Sequence, residues 1–216
     1  ETAGKIGNTY SGSLEPLSAV SNVTAELTDI ITDGADEEAD EALRERFYEK
    51  VRNPATSGNK HHYRQWALEV PGVGDAKVFP LDSGDGTLTV LIVDVDKARN
   101  PSLEPAVRDY IETVRPIGAT VTVSSPTMRS VNVSANVILD GTKTLDDVLA
   151  MFKSQFTEYL KSLVFVEYRV SYAKIGSLLL NIEGVQDYDD LRLNNSTGNI
   201  IVGEKEIPAM GTVSLE

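Results

Sequence analysis

The sequence predicts an α+β fold of two small lobes, each with amphipathic helices packed on a short mixed or antiparallel sheet, preceded by an extended N-terminal arm. Apolar residues at helical spacing alternate along the chain with short runs of β-type residues. A helix–turn–strand unit also occurs twice. We expect the arm over residues 1–35, the first lobe over 36–126 and the second lobe over 127–216.

The arm is rich in Gly, Ser, Thr and Asn and fits neither the helical nor the strand period. This composition predicts extended chain and turns, with short β segments possible near Val20–Thr24. Acidic residues over 33–41 then favour the first turn of a helix, where they complement its positive end. We predict a helix over 37–52, ended by Pro54. Its apolar positions recur at helical spacing: Ala39, Leu43, Phe47 and Val51.

A second helix is predicted over 58–70, with Ser57 as its cap. One apolar face follows from the spacing i, i+3, i+4, i+7, and its members are Tyr63, Trp66, Ala67 and Val70. Trp66 is the only tryptophan of the chain. Its place on this stripe favours a core anchor over a binding platform.

The first lobe continues with a hairpin, a helix and a strand. The polar turn 82–86 joins the two hairpin strands, and Asn100 or Ser102 caps the helix, which ends at Val114. The predicted strands are Asp75–Pro80, Thr87–Asp94 and Thr120–Ser124. The second strand reads LTVLIV, a nearly continuous apolar run that is typical of a central strand.

The second lobe opens with the clearest alternation in the chain, a strand over Ser130–Leu139. Thr144 and Asp147 then have the spacing of a capping box, which predicts a long helix over 145–162. A shorter helix runs from a Ser171 cap to Asn181. The remaining predicted strands are Tyr188–Leu193, Asn199–Val202 and Glu206–Val213.

A faint repeat links the lobes. The pattern Gly-Val-x-Asp stands at 72–75 and again at 184–187, each time between a short helix and a predicted hairpin. This predicts two similar α+β lobes that divide near 125–128. Chance similarity of two helix–turn–strand units is the alternative.

Composition excludes several functions. The net charge of −13, with scattered basic residues, argues against nucleic acid and anionic membrane surfaces as partners. The absence of cysteine excludes disulfides, thiolate metal sites and cysteine nucleophiles. No apolar run approaches the roughly 20 residues of a membrane span.

Candidate chemistry is sparse. His61 and His62 are adjacent, so on a helix they point about 100° apart and do not serve one metal from one face; exposed or loop histidines are expected. The acidic run Asp29–Glu41 lacks the spacing of a calcium loop. The glycine-rich turns 72–74 and 84–86 match no phosphate-binding pattern. We therefore predict no catalytic, cofactor-binding or metal-binding residues and no cofactor.

Several segments together are similar to one known family. They are AGKIGN around Gly4–Asn8, GADEEADEALRERF (Gly34–Phe47), SGNKHHYRQWALEVPGVGDAKVFP (Ser57–Pro80), GDGTLTVLIV (Gly84–Val93), VRPIGATVTVSSP (Val114–Pro126), GVQDYDDLRLN (Gly184–Asn194), GNIIV (Gly198–Val202) and EIPAMGTV (Glu206–Val213). In this order they resemble the baseplate J-like family of contractile phage tails, of the Mu and PBSX prophage types. Glu38 and Ala39 depart mildly from that family's acidic run.

The resemblance implies a structural, non-enzymatic wedge subunit of a phage, prophage or tailocin-like tail baseplate, made in the bacterial host cytoplasm and carried in the virion. It implies neighbouring wedge and hub proteins as partners, with a homo-oligomer in the assembled ring as a further possibility. It also implies a longer N-terminal region before Glu1, while Leu215-Glu216 could be a vector remnant. The alternative from composition is an acidic carbohydrate- or cation-binding module, and a weaker one is a hydrolase with paired carboxylates.

Overall fold

The computed structural model describes residues 12–14, 25–27, 39–52 and 58–216. They fall into two compact units that divide between Pro54 and Ala55. The predicted domain boundaries at 35/36 and 126/127 stay predictions.

The described residues of the first unit form a two-stranded sheet and a helix. Strand β1 (Gly12–Leu14) pairs antiparallel with β2 (Ala25–Leu27), and α1 spans Asp40–Arg52. Helix α1 starts later than predicted, because Ala39 is not helical; residues 37 and 38, like the predicted β segment Val20–Thr24, lie outside the described residues. Asp40 and Glu41 occupy its first turn as expected.

The first lobe of the second unit is a three-stranded sheet with two helices on one face. Its elements are α2 (Lys60–Glu69), β3 (Val73–Pro80), β4 (Thr87–Asp94), a 3₁₀ turn (Pro101–Leu103), α3 (Glu104–Val114) and β5 (Thr120–Ser124). The strand order is β3-β4-β5, with β3 antiparallel and β5 parallel to β4. Val90 and Ile92 of β4 share one apolar cluster with Trp66 of α2 and Ile111 of α3.

Some helix and strand ends in this lobe differ from those that local sequence signals predicted. Asn59, rather than the predicted Ser57, caps α2, since its side chain accepts a hydrogen bond from the His62 amide at 2.9 Å. Ser57 itself lies outside the described residues. Asn100 caps the 3₁₀ turn that leads into α3. Strand β3 begins at Val73, two residues before the predicted start.

The second lobe is also a three-stranded sheet, covered by the longest helix. Its elements are β6 (Thr127–Leu139), α4 (Leu145–Leu163), β7 (Arg169–Val170), α5 (Tyr172–Leu180), β8 (Val185–Leu193), β9 (Ile200–Ile201) and β10 (Glu206–Leu215). In the order β10-β6-β8, β10 is parallel and β8 antiparallel to β6. The core joins Val131 and Val133 of β6 to Phe152 and Phe156 of α4. Leu215 is buried and paired with Ala135, so it is part of this fold.

The predicted hairpin of the second Gly-Val-x-Asp unit is wrong. β3 pairs with β4 as expected, but β8 pairs with β6, and β9 pairs with β7. Only the local geometry repeats: Gly72 and Gly184 both take a left-handed φ, of 93° and 98°, a conformation that glycine adopts without steric cost. Fold class is nevertheless confirmed as α+β, with mixed sheets in both lobes.

The capping box of α4 is confirmed and supports a stability prediction. The Thr144 hydroxyl accepts from the Asp147 amide at 3.3 Å, and the Asp147 carboxylate accepts from the Thr144 amide at 3.2 Å. Thr144→Ala should therefore lower the free energy of unfolding by about 1 kcal/mol, measured by urea denaturation. Gln155→Ala, at an exposed position of the same helix, is the control. Equal losses in both variants would mean that the box contributes nothing specific.

Candidate functional site

A half-buried carboxylate, that of Asp75, lies where α2 meets β3. Asp75 accepts hydrogen bonds from Arg64 at 2.9 Å and from Lys97 at 2.7 Å, and from the amide of Ala76 at 2.8 Å. Burial raises the pKa of Asp75, but the Lys97 hydrogen bond and the two cations outweigh it, so this pKa lies below its usual value. The geometry is that of a structural ion pair, with both carboxylate oxygens engaged.

This arrangement predicts a pH dependence. Because the pKa of Asp75 is lower in the folded state than in the unfolded state, its stabilisation is present above about pH 4 and is lost as the pH falls through the folded-state value. Asp75→Asn should remove this contribution, so its difference from the wild type in urea-unfolding free energy should shrink as the pH is lowered below 4. Lys97→Met should move the loss to higher pH. A difference that stays constant with pH would contradict the assignment.

The two lobes meet at a polar contact that no local sequence signal indicated. The Lys205 ammonium lies 2.5 and 2.7 Å from the two carboxylate oxygens of Asp82. The hydroxyl of the buried Thr89 donates to Asp82 at 2.7 Å. These hydrogen bonds, from Lys205 first, hold the pKa of Asp82 below its usual value. Asp82 thus joins β4 to the turn before β10.

Apolar packing continues this contact. Val93 of β4, fully buried, shares a cluster with Val164, Phe165 and Ile207 of the second lobe. Beside it, the Lys77 ammonium lies 4.2 Å from the ring centroid of Tyr168. Burial lowers the pKa of Lys77. We call these contacts between the lobes the lobe seam. Its members are Lys77, Asp82, Val93, Val164, Phe165, Tyr168, Lys205 and Ile207. It covers the face of β4 that α2 and α3 leave open.

Trp66, His61 and His62, which stood out in the sequence, all lie on α2. Trp66 is 7% exposed and packs edge-on against the Tyr63 ring, with ring centroids 5.0 Å apart, so the core-anchor interpretation is confirmed. His62 lies over the Trp66 ring, and its Nδ1 accepts from the Gly58 amide at 3.3 Å. The expectation of exposed or loop histidines is wrong, because His61 and His62 are half-buried on α2.

Metal-binding clusters and membrane-spanning helices are both absent from the described part of the chain. No three His, Asp or Glu side chains come together there in a way that could hold a metal ion. No helix in the same residues is long and apolar enough to cross a membrane. The acidic residues Asp29, Asp33 and Asp36, considered for calcium, lie outside the described residues. The expectation of no catalytic, cofactor or metal residues stays a prediction.

Exposed apolar side chains are the remaining candidates for function. Helix α1 presents an exposed stripe of Leu43, Phe47 and Val51, with exposed fractions of 47, 59 and 60%. Other large apolar side chains are exposed in the second unit: Leu81, Val95, Ile117, Met128, Ile138, Val166, Leu180, Ile201 and Met210. Such side chains can serve as contact surfaces for partner proteins. Sequence periodicity found the α1 stripe but gave no sign that it is exposed.

Two family models match consecutive parts of the chain. The model described as "Baseplate J-like central domain" matches residues 55–125, and "Baseplate J-like protein C-terminal domain" matches residues 131–216. The first match covers the strands and helices of the first lobe, and the second begins inside β6.

Curated relatives agree with these models. The phage-like element PBSX protein XkdT of Bacillus subtilis (strain 168) is 34% identical over 226 residues, covering 100% of this chain. Baseplate protein gp47 of Escherichia phage Mu is 30% identical over 231 residues, covering 98% of this chain. The chain spans 65% of the length of the first relative and 61% of the second.

A solved structure shares the fold. A chain in the cryo-EM structure of the anti-feeding prophage baseplate, 6-fold symmetrised, aligns with a TM-score of 0.61 at 16% identity, covering 91% of this chain and 46% of that one. This likeness concerns the fold alone. The resemblance seen in the sequence motifs is confirmed by the two family models and the two relatives. The chain therefore belongs to the baseplate J-like family, whose central and C-terminal domains it contains in order.

Proposed function

We propose that this chain is part of a structural wedge subunit of a contractile tail baseplate, in a phage, a prophage or a tailocin-like particle. The observation that carries the proposal is the succession of the two baseplate J-like domains. It is joined by sequence similarity over essentially the whole chain, at 34% identity to a PBSX protein and 30% identity to a Mu baseplate protein. The place of action is the tail baseplate.

The chemistry of the described residues supports an assembly role over an enzymatic one. Two carboxylates with lowered pKa values are paired with cations: Asp75 with Arg64 and Lys97, and Asp82 with Lys205. Each bond joins two structural elements. Such pairs fix the relative positions of helices, strands and lobes, as a component that transmits force through an assembly requires.

The partners we propose are neighbouring wedge and hub proteins, with further copies of the chain in the ring. Support comes from the apolar stripe of α1, where three long side chains on one helix face are about half or more exposed. Burial of apolar side chains in a protein interface removes them from water, which favours association. The stripe therefore suits a helix that packs on another subunit.

The test is incorporation into particles. The full-length protein, expressed with its neighbouring tail proteins, should appear in baseplate rings in electron micrographs. Phe47→Glu on the α1 stripe should reduce incorporation, while Glu41→Ala, at an exposed position of the same helix, should not. A full-length protein that never associates with tail particles would overturn the proposal.

The alternative binding module makes a different prediction. A carbohydrate- or cation-binding site would give a saturable rise in melting temperature with its ligand. We expect Ca²⁺ and a panel of oligosaccharides to give no such rise in a thermal-shift assay. A large saturable shift would favour the binding module instead.

A further inference from the structure

The outer strands of the two three-stranded sheets differ in the features that hinder pairing with a further strand. In β3, the Arg64 side chain donates to the Ala76 carbonyl at 3.1 Å, and Pro80 ends the strand. Strand β10 contains Pro208 and an irregular register between Met210 and Val213. Strand β8 carries three aspartates, Asp187, Asp189 and Asp190. Charge, proline and irregular register are the devices that prevent edge-to-edge pairing.

Strand β5 itself contains no charge, proline or irregular register. Its residues are Thr-Val-Thr-Val-Ser, and no charged residue occurs from Pro116 to Met128. Charged side chains meet its edge at the two ends, where Arg115 donates to the Ala119 carbonyl at 2.6 Å and Glu104 accepts from the Ser125 amide at 2.8 Å. The Thr120 amide donates to the Gly86 carbonyl at 2.8 Å, and the parallel register pairs Thr120 with Thr87. The backbone groups of residues 120, 122 and 124 therefore face β4.

By alternation, the N–H and C=O groups of Val121 and Val123 point away from β4, to the outer edge. Within the described residues, no other strand pairs with that edge. A buried or half-buried backbone group gains from a partner. The edge thus offers two donors and two acceptors in regular spacing, beside the fully exposed Ile117.

We propose that β5 pairs antiparallel with β5 of a second copy of this chain, about a two-fold axis at Thr122. The strand reads almost the same in both directions, so Val121 would oppose Val123 of the second copy, Thr120 would oppose Ser124, and Thr122 would oppose itself. Such β-branched and hydroxyl pairs are favourable across strands. A contact made by uncharged strand residues also suits two chains that each carry a net charge of −13.

The pairing would join two three-stranded sheets into one six-stranded sheet. The two bonding pairs, Val121 with Val123 and its symmetry mate, form four backbone hydrogen bonds. Thr122 is then a non-hydrogen-bonded pair, in which side chains of the two copies come closest. The inference concerns the chain in solution and goes beyond the proposed baseplate role. Failure of β5 pairing would leave incorporation into tail particles untouched.

Disulfide trapping tests the register, because the chain contains no cysteine. In a non-hydrogen-bonded pair, the two Cα atoms lie about 4.5 Å apart, within the range of a disulfide. Thr122→Cys should form a disulfide-linked dimer under mild oxidation, seen by non-reducing electrophoresis. Thr120→Cys is the matched control, since its two copies would lie about 13 Å apart along the strands. Both side chains are exposed, so both variants should melt like the wild type.

Faster crosslinking through residue 122 than through residue 120 would support the inference, and equal or reversed rates would overturn it. A charge exchange gives an independent answer. Thr122→Lys and Thr122→Glu each place like charges face to face, whereas their equimolar mixture places opposite charges there. The mixed dimer should bind roughly fivefold more tightly than either pure variant in sedimentation equilibrium. No preference for the mixed dimer would count against the pairing, and Gln186→Lys on the edge strand β8 should not affect association.

Discussion

Replacing Trp66 by alanine is expected to lower the free energy of unfolding by about 3–5 kcal/mol. The side chain is 7% exposed and packs in the cluster that joins α2 to β4 and α3. Removal of the ring deletes its buried apolar surface and leaves a cavity that the surrounding helices fill only in part. Urea denaturation followed by far-UV circular dichroism measures the loss, because the variant has no tryptophan for fluorescence.

Two further variants separate packing from other causes. Trp66→Phe keeps an aromatic ring against Tyr63 and should lose clearly less stability than the alanine variant. Ile117→Ala, at a fully exposed position of the same lobe, should change stability by less than about 0.5 kcal/mol. A Trp66→Ala protein with unchanged unfolding would contradict the core-anchor role and would place Trp66 at a partner-facing surface.

Features that depend on neighbouring residues were predictable from the sequence. The capping box of Thr144 and Asp147 needs only residues three apart, and its helix ends within one residue of the predicted limit. Strand β5 has the predicted ends, Thr120 and Ser124. In both places, local polar chemistry and apolar period agree on one structure. The predicted start of α2 was wrong because two nearby polar residues could cap the helix, and Asn59 is the one with the required geometry.

Pairing between distant segments was not predictable from local patterns. The turn at 194–198 has hairpin composition, yet Tyr188 of β8 pairs with Val137, and β9 pairs with the two-residue strand β7. Alternation states which residues face a core but does not name the strand beside them. The Asp82–Lys205 ion pair joins residues 123 positions apart, so nothing in either neighbourhood signals it. Partner surfaces were not predictable from the sequence for the same reason, because the exposure of an apolar stripe depends on which residues the rest of the chain covers.

The seam between the lobes carries the second large expected effect. Val93→Asp should lower the free energy of unfolding by about 3–5 kcal/mol at neutral pH, because it places a carboxylate among Val164, Phe165 and Ile207. Val95→Asp is the matched control: two residues further on, that side chain is 69% exposed, and the change should cost less than about 0.5 kcal/mol. Trp66 is the only tryptophan in both proteins, so its fluorescence reports unfolding of the first lobe.

The pH response identifies the cause. Burial raises the pKa of an introduced carboxyl group in the folded state above its value of about 4 in the unfolded state. The loss of stability in Val93→Asp should therefore grow as the pH rises above 4 and should become smaller as the pH falls below 4, where the group becomes protonated in both states. A loss that does not change with pH would indicate lost packing alone.

A comparison of the unfolding midpoints from two spectroscopic signals then measures how strongly the stability of each lobe depends on the other. If the seam joins them into one cooperative unit, Trp66 fluorescence and far-UV circular dichroism should give the same unfolding midpoint in the wild type. In Val93→Asp the first lobe loses the cover of one sheet face, since Thr89, Leu91 and Val93 alternate with the residues that face α2 and α3. The fluorescence midpoint should then fall below that of circular dichroism. Coincident midpoints in the variant, at an unchanged denaturant concentration, would mean that the first lobe is stable without the seam.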